Sequence, residues 1–219
     1  IKTFLGATSQ AEWRAHGLPA DTHSFENAAI INLSSRHPLI IDPQRQAVRW
    51  IGQMERYEGL VRAEQAQTGW LELVVRALRE GLPLLLDIES SLEGVLTPLA
   101  ERAYERRGAA LGVQVGDKLV EVLCSMPVQD RAGGAGGAGG AGGAGGAGGV
   151  RASASGGGGG RDPLFRMYVA TRLEAPNLSP ELQGMMVLVD FTVTDVGLEE
   201  QLLSLLVGEE QPALLTQQS

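Results

Sequence analysis

The sequence has a single cysteine, Cys124, and only three histidines. One cysteine excludes an internal disulfide and any metal site built from several cysteines, and it favours a reducing compartment. The histidines, His16, His23 and His37, have neither the spacing of metal ligands on one helix face nor an evident Ser or Cys partner, so we predict surface or capping roles. We predict that Cys124 is a small buried residue rather than a reactive thiol.

Basic residues and long apolar runs are also scarce. The chain has 18 Lys and Arg against 26 Asp and Glu, a net charge of −8, which opposes binding to nucleic acid or an anionic membrane. No apolar run approaches the roughly 18 residues of a membrane-spanning helix. The first five residues lack the basic and apolar regions of a signal peptide. We therefore expect a soluble protein with no nucleic-acid partner and no membrane partner.

Glycine is abundant, but it is concentrated in one place. Of the 30 glycines, 17 lie between Ala132 and Gly160, a stretch that includes six consecutive Ala-Gly-Gly triplets. Outside that stretch glycine falls to about 7 %, the ordinary globular frequency. Ordering the stretch would cost about 1–2 kcal/mol per residue with no burial to offset it. We predict a disordered Gly/Ala-rich insert over residues 131–161 within one folded unit.

Short apolar runs alternate with segments of helical period. Four runs are typical of buried parallel strands: residues 38–41, 84–86, 167–170 and 185–193. Helical periodicity covers residues 46–57 and 70–79, with Gly81 as a stop, and residues 198–206 predict an amphipathic helix. This alternation predicts an α/β fold whose central parallel sheet is covered by helices on both faces.

Two further segments depart from that alternation. Residues 111–123 predict a β-hairpin, because Val113 and Val115 alternate with a polar residue before the turn at Gly116. The charged stretch that contains Arg102, Arg106 and Arg107 is interpreted as a solvated helix face.

The segment after the first predicted strand has the place of a phosphate-binding loop but lacks its chemistry. Its residues are Asp42, Pro43, Gln44, Arg45, Gln46 and Ala47. Such a loop needs glycines, a lysine for the phosphates and a hydroxyl for magnesium; none is here, and Pro43 removes an N–H donor. Arg45 could still meet an anion at the helix N-terminus; the alternative is a solvated or interface arginine. We predict a degenerate loop.

Acidic residues Asp87 and Glu89 follow the strand predicted at residues 84–86. A magnesium site that handles water and phosphate requires acidic residues at such a strand end. The alternative is that they cap a helix or face solvent. Because the first loop offers no lysine and no hydroxyl, we interpret these residues as a degenerate acidic strand end. We predict no catalytic residue and no metal site.

The motifs taken together resemble one family, the fifth AAA+ module of dynein heavy chains. Residues 13–27 are similar to the family pattern W-x-x-x-G-L-P-x-D-x-x-S-x-E-N, and residues 38–51 to P-L-M-I-D-P-Q-x-Q-A-x-x-W-I. Residues 179–181, 191–194 and 197–203 are similar to S-P-E, F-T-V-T and G-L-E-D-Q-L-L. The matches are collinear and flank the insert, which has no family counterpart.

The resemblance implies a three-layer, P-loop-like AAA+ fold with an added β-hairpin. It divides the chain into the first part of the large subdomain (1–130), the insert (131–161), closing strands and helix (162–207), and the start of a lid or a truncated tail (208–219). Thr171 and Arg172 would be sensor-like residues at a strand end.

The resemblance also implies a function: a structural module of the microtubule motor ring, which relays ATP-driven conformational change, with a degenerate nucleotide site in the module itself. The alternative is a nucleotide-binding ATPase module that retains ATP binding. The parent motor would use ATP or ADP with magnesium. Its partners would be neighbouring AAA+ modules of the same heavy chain and, through the complex, dynein intermediate and light chains and microtubules. The expected location is the cytoskeleton in the cytoplasm, in particular the axoneme of a cilium or flagellum.

Overall fold

The computed structural model describes residues 7–107, 110–122 and 165–217. The helices of this part are α1 (Ala7–Ala15), α2 (Thr22–Leu33), α3 (Gln46–Met54), α4 (Trp70–Glu80), α5 (Glu93–Ala100), α6 (Pro180–Met185) and α7 (Asp195–Gln217). The strands are β1 (Pro38–Ile41), β2 (Val61–Glu64), β3 (Leu84–Ile88), β4 (Glu105–Arg107), β5 (Ala110–Val115), β6 (Lys118–Val122), β7 (Met167–Thr171) and β8 (Val187–Asp190). None of these helices is both long and apolar enough to cross a membrane.

The main sheet is parallel, with strand order β2-β3-β7-β1-β8. Every residue of β1 and β7, two of the three inner strands, is buried, which explains their continuous apolar pattern. The prediction of an AAA+-type α/β fold with a central parallel sheet is therefore confirmed. The predicted insert over residues 131–161 and Cys124 lie outside the described residues.

A hydrophobic core lies on each face of this sheet, because successive strand residues point to opposite sides. Leu39 belongs to the cluster under α4, α5 and the small sheet, whereas Ile40 belongs to the cluster under α1, α2 and α3. The second cluster is rich in aromatic rings: Trp50 is fully buried and meets Trp13 edge-on, with 6.0 Å between ring centroids. The arrangement is three-layered, as predicted.

A separate antiparallel sheet has the order β4-β5-β6. Its β5–β6 hairpin turns at Gly116, whose φ is 58°, so the predicted hairpin is confirmed. The helix predicted around Arg102, Arg106 and Arg107 is wrong. Helix α5 ends at Ala100, Arg102 has a φ of 55°, and residues 105–107 pair with β5 instead. Strand pairing determines the structure here because the charged run alone carries no decisive periodicity.

Several predicted boundaries also differ. The helix expected over 46–57 ends at Met54, and the strand expected over 185–193 is shortened by α6, which runs to Met185. Strand β2 was not predicted, because four residues that alternate buried and exposed at a sheet edge give a weak signal. The helix expected over 198–206 begins at Asp195 and runs to Gln217, across residue 208.

The surface or capping role predicted for His37 is wrong. The side chain is 5 % exposed and meets the ring of Phe165 edge-on, 6.4 Å between centroids, just before β1. His23 is exposed, and its Nε2 lies 2.8 Å from the carbonyl oxygen of Asp190. The domain divisions at residues 130, 161 and 207 stay predictions.

Candidate functional site

The predicted site residues meet at the carboxyl edge of the main sheet. Parallel pairing aligns Ile41 of β1 with Thr171 of β7, and Asp87 of β3 with Glu64 of β2. The loop after β1 therefore lies beside the strand ends that carry Asp87 and Thr171. The exception is Glu89, which lies beyond β3 in an exposed turn where its N–H donates to Oε1 of Gln65, 2.8 Å away.

Asp42 holds the amides that begin helix α3. Its carboxylate is buried, accepting an N–H from Gln46 on Oδ1 at 2.8 Å and an N–H from Val48 on Oδ2 at 2.9 Å. The start of a helix binds anions through these N–H groups and the positive end of the helix dipole. The carboxylate of Asp42 thus occupies the position that an external anion would take.

The environment of Asp42 acts on its protonation in two directions. Burial raises the pKa of this carboxyl above its ordinary value of 3.8, because desolvation penalises the charged form. The N–H groups of Val48, Gln46 and Ala47 and the positive charge of Arg45 oppose this rise and lower the pKa. The net shift of the Asp42 pKa is upward. The ionised form of this carboxyl is therefore electrostatically unfavourable at this position.

Arg45 is the next distinctive residue of the loop. It adopts φ 58° and ψ 30°, a left-handed conformation that favours glycine and costs about 1–2 kcal/mol for other residues. Its guanidinium donates to Oδ2 of Asp87 and lies 3.9 Å from Oε1 of Glu64. Arg45 is therefore not a solvated arginine: the anion that it meets is the strand-end carboxylate of its own chain.

The rest of the loop contains no glycine, lysine or hydroxyl side chain. Pro43 and Gln44 form the turn, which the hydrogen bond from the N–H of Arg45 to the carbonyl of Asp42 closes at 3.1 Å. Ala47 is fully buried in the core. Gln46, the first residue of α3, directs its side-chain amide toward Oε1 of Gln201 in α7, 3.4 Å away.

The acidic strand end is neutralised from two sides. Asp87 is 13 % exposed and pairs with Arg45, while Nη2 of Arg172 lies 3.9 Å from the same Oδ2. Thr171, which the resemblance predicts to be sensor-like, is buried, and its hydroxyl accepts the N–H of Leu173 at 3.2 Å. Across residues 7–107, 110–122 and 165–217, no three His, Cys, Asp or Glu side chains are grouped to hold a metal ion. Arginine supplies the positive charge beside Asp87.

A polar contact that sequence reasoning missed joins helix α7 to the start of α2. Buried Asp21 caps α2 by accepting the N–H of Ser24 at 2.7 Å, and its Oδ2 also accepts the side-chain amide of Gln201 at 2.8 Å. Glu200 accepts the N–H of Thr22 at 2.7 Å. The Asp-x-x-Ser spacing signals the cap; nothing in the sequence signals the partner in α7.

Comparisons with known proteins give a consistent result. The family model for the ATP-binding dynein motor region matches residues 11–125 and 161–219, so its gap contains the Gly/Ala-rich stretch. The chain is 31% identical over 210 residues to the dynein beta chain of the flagellar outer arm from Chlamydomonas reinhardtii, covering 95% of this chain and 4% of that protein.

Two further relatives match at similar levels. Identity to dynein axonemal heavy chain 9 of Homo sapiens is 33% over 216 residues, covering 98% of this chain and 4% of that protein. Identity to cytoplasmic dynein 2 heavy chain 1 of Chlamydomonas reinhardtii is 32% over 226 residues, covering 100% of this chain and 4% of that protein. The chain thus spans about 4% of the length of these relatives.

Proposed function

The chain belongs to the dynein heavy chain family, within its ATP-binding motor region, and from this premise we propose that it is a structural AAA+ module. The module corresponds to the fifth of the motor ring. It relays conformational change that ATP drives in other modules, and its own nucleotide site is degenerate.

The observation that carries this proposal is the carboxylate of Asp42 on the first amides of α3. A nucleotide phosphate would need the N–H groups of Gln46 and Val48, both of which already donate to Asp42. A phosphate beside that carboxylate would meet like charge in a buried place, which disfavours both ionised forms. The chain offers no lysine in this loop to offset the repulsion.

The ion pair between Arg45 and Asp87 supports the same proposal. In an active site the strand-end carboxylate would face a hydrated magnesium ion and the terminal phosphate. Here Asp87 faces two guanidinium groups, from Arg45 and Arg172. Binding magnesium would require the displacement of Arg45, which is partly buried and would lose its charge-assisted hydrogen bond.

A relay needs parts that move together, and the contacts of α7 support this role. Gln201 and Glu200 fix the start of α7 to Asp21 and Thr22 through side-chain hydrogen bonds. These contacts use only groups of the chain itself, so α7 is held on the sheet domain without a ligand.

The test is calorimetry of the full chain with Mg·ATP and Mg·ADP. We expect no binding tighter than a Kd of about 1 mM, with folding checked by circular dichroism. Micromolar ATP binding that Arg45→Ala abolishes would favour the alternative, a module that retains ATP binding, and would refute the degenerate site. The motivation for that alternative is the strand–loop–helix geometry itself.

The setting of the parent protein is also a proposal. Its motor would use ATP or ADP with magnesium, contact neighbouring AAA+ modules of the same chain, and join dynein intermediate and light chains and microtubules. The axonemal and flagellar relatives favour a cilium or flagellum, and the cytoplasmic dynein 2 relative makes the cytoplasm the competing location. Fluorescent tagging of the endogenous parent protein, imaged against an axonemal marker, distinguishes the two.

A further inference from the structure

A cleft of about 510 Å³ lies on the outer side of α3, between the α1–α2 connection and α7. Its volume falls within the range of about 300–1,000 Å³ that is usual for ligand sites. Arg49 of α3, Arg62 of β2 and His16 of the α1–α2 connection are among the residues that line it. No acidic residue is among the described residues that line it, although the chain as a whole carries a net charge of −8.

Two arginines line this cleft, and neither Arg49 nor Arg62 forms an ion pair within the part of the chain that the structure describes. Arg49 donates to the carbonyl oxygens of Arg45 and Gln44, at 3.1 and 3.4 Å. Nδ1 of His16 is buried without a hydrogen-bond partner among the described residues. The cleft therefore presents positive charge that no carboxylate of the described residues neutralises.

The guanidinium of Arg62 lies close against Gly52 of α3. A β-carbon at residue 52 would lie 1.9 Å from Nη2 of Arg62, far closer than any real contact. Glycine inside a helix is disfavoured relative to alanine. Here the glycine leaves room for a guanidinium to lie against the backbone of α3. That guanidinium has no carboxylate partner within the part of the chain that the structure describes.

We propose that this cleft is an oxyanion site in which Arg62 and Arg49 bind a ligand through its carboxylate or phosphate oxygens. Guanidinium groups match such oxygens in charge and in planar geometry. Two sources share this chemistry: the side chains of an acidic polypeptide segment, and free phosphate. The cleft adjoins the loop, because Gln46 lines the cleft and also donates its N–H to Asp42. The proposed contacts are made by the guanidinium groups of Arg62 and Arg49 and need none of the amides that Asp42 accepts.

The test is calorimetry of the full chain at low ionic strength, with inorganic phosphate and hexaglutamate as separate probes. Saturable binding of either probe is expected, and the tighter probe identifies the source of the oxyanion. Gly52→Ala is the decisive variant because it displaces the Arg62 guanidinium without changing the charge of the chain. It should weaken binding about tenfold, the loss expected for a displaced bidentate contact, while the Tm stays the same or rises.

Two matched variants provide controls. Gly184→Ala makes the same change in α6, where a β-carbon meets nothing within 4 Å, and Arg76→Gln removes one charge from the exposed face of α4. Both should bind as the unmodified chain does. If Gly52→Ala lowers the Tm, Arg62→Gln is used instead to measure how much the Arg62 guanidinium contributes to the affinity for the probe. Absence of binding by both probes, or affinities that Gly52→Ala and Arg62→Gln leave unchanged, would overturn the proposal.

Discussion

The loop before α3 and the cleft beside α3 both contain arginine. They differ in whether a carboxylate of the described residues pairs with that arginine. In the loop, Arg45 pairs with Asp87, which is only 13 % exposed, and Asp42 satisfies the helix amides. In the cleft, Arg62 has no carboxylate within the described residues. Charge in the loop is therefore part of the fold, whereas charge in the cleft is available to something outside the chain.

The largest expected effect belongs to Asp42. The change Asp42→Ala leaves the N–H groups of Gln46 and Val48 without acceptors inside a buried region. We expect the free energy of unfolding, measured in urea, to fall by about 3 kcal/mol. A loss below about 1 kcal/mol would mean that water satisfies these amides and that the loop is not closed by its own carboxylate.

The pair between Arg45 and Asp87 should couple the two residues energetically. Asp87→Ala removes the buried partner of the Arg45 guanidinium and leaves only the exposed carboxylate of Glu64, 3.9 Å away. We expect a loss of about 1–2 kcal/mol. Arg45→Gly removes the pair but relieves the left-handed backbone, so its net effect should be near zero.

A double-mutant cycle measures this coupling. In the background of Arg45→Gly, Asp87→Ala should cost about 1 kcal/mol less than in the unmodified chain. Additive losses would show that the ion pair contributes nothing to the fold, and the contrast with the cleft would disappear.

The titration of Asp42 should make the free energy of unfolding depend on pH, an effect of intermediate size. Because burial raises the folded-state pKa above the unfolded value, the folded chain retains this proton more readily. Its contribution to stability is then greatest at low pH and falls as the pH rises through the folded-state pKa, by at most about 1.4 kcal/mol per pH unit.

Asp42→Asn removes that titration and serves as the reference. The unfolding free energy of the unmodified chain should fall relative to the variant as the pH rises above 3.8, the ordinary value of the carboxyl pKa. If the unmodified chain instead gained stability over the variant above that pH, the N–H groups and Arg45 would outweigh burial.

The smallest effect is expected in the cleft. Arg62→Gln removes a charge that pairs with nothing in the described part of the chain, so the free energy of unfolding should change by less than about 0.5 kcal/mol. A loss of more than about 1 kcal/mol would place Arg62 among the structural arginines and would break the contrast with Arg45.

Much of the sheet was predictable because its strands are buried on both faces. Strands β1, β3 and β7 read as continuous apolar runs bounded by turn residues, and that pattern depends on burial alone. Strand β2 was not predictable, because it is an edge strand of four residues whose position is defined by its pairing with β3 and not by its own sequence pattern. Strand β4 was missed for the same reason: its pairing with β5 outweighs its charged composition.

The candidate site was predictable in composition but not in its contacts. The lack of glycine, lysine and hydroxyl between residues 42 and 47 was visible in the sequence. The pairing of Arg45 with Asp87 was not visible in the sequence. It depends on the order of the strands, in which only β7 lies between β1 and β3. Nothing in the sequence indicated the contacts of Gln201 and Gly52, because each contact is made with a residue on a different element of the fold.

The strand order has a consequence for how this polypeptide can fold as it is synthesised. Strand β1 is hydrogen-bonded on one side by β7 and on the other by β8, both of which come more than a hundred residues later. Strands β2 and β3 can pair early, but β1 has no strand neighbour until residues 167–190 have left the ribosome. A nascent chain stalled before that point would expose unpaired apolar strand edges, which are templates for aggregation. The last quarter of the chain therefore sets the time at which the centre of the sheet can close.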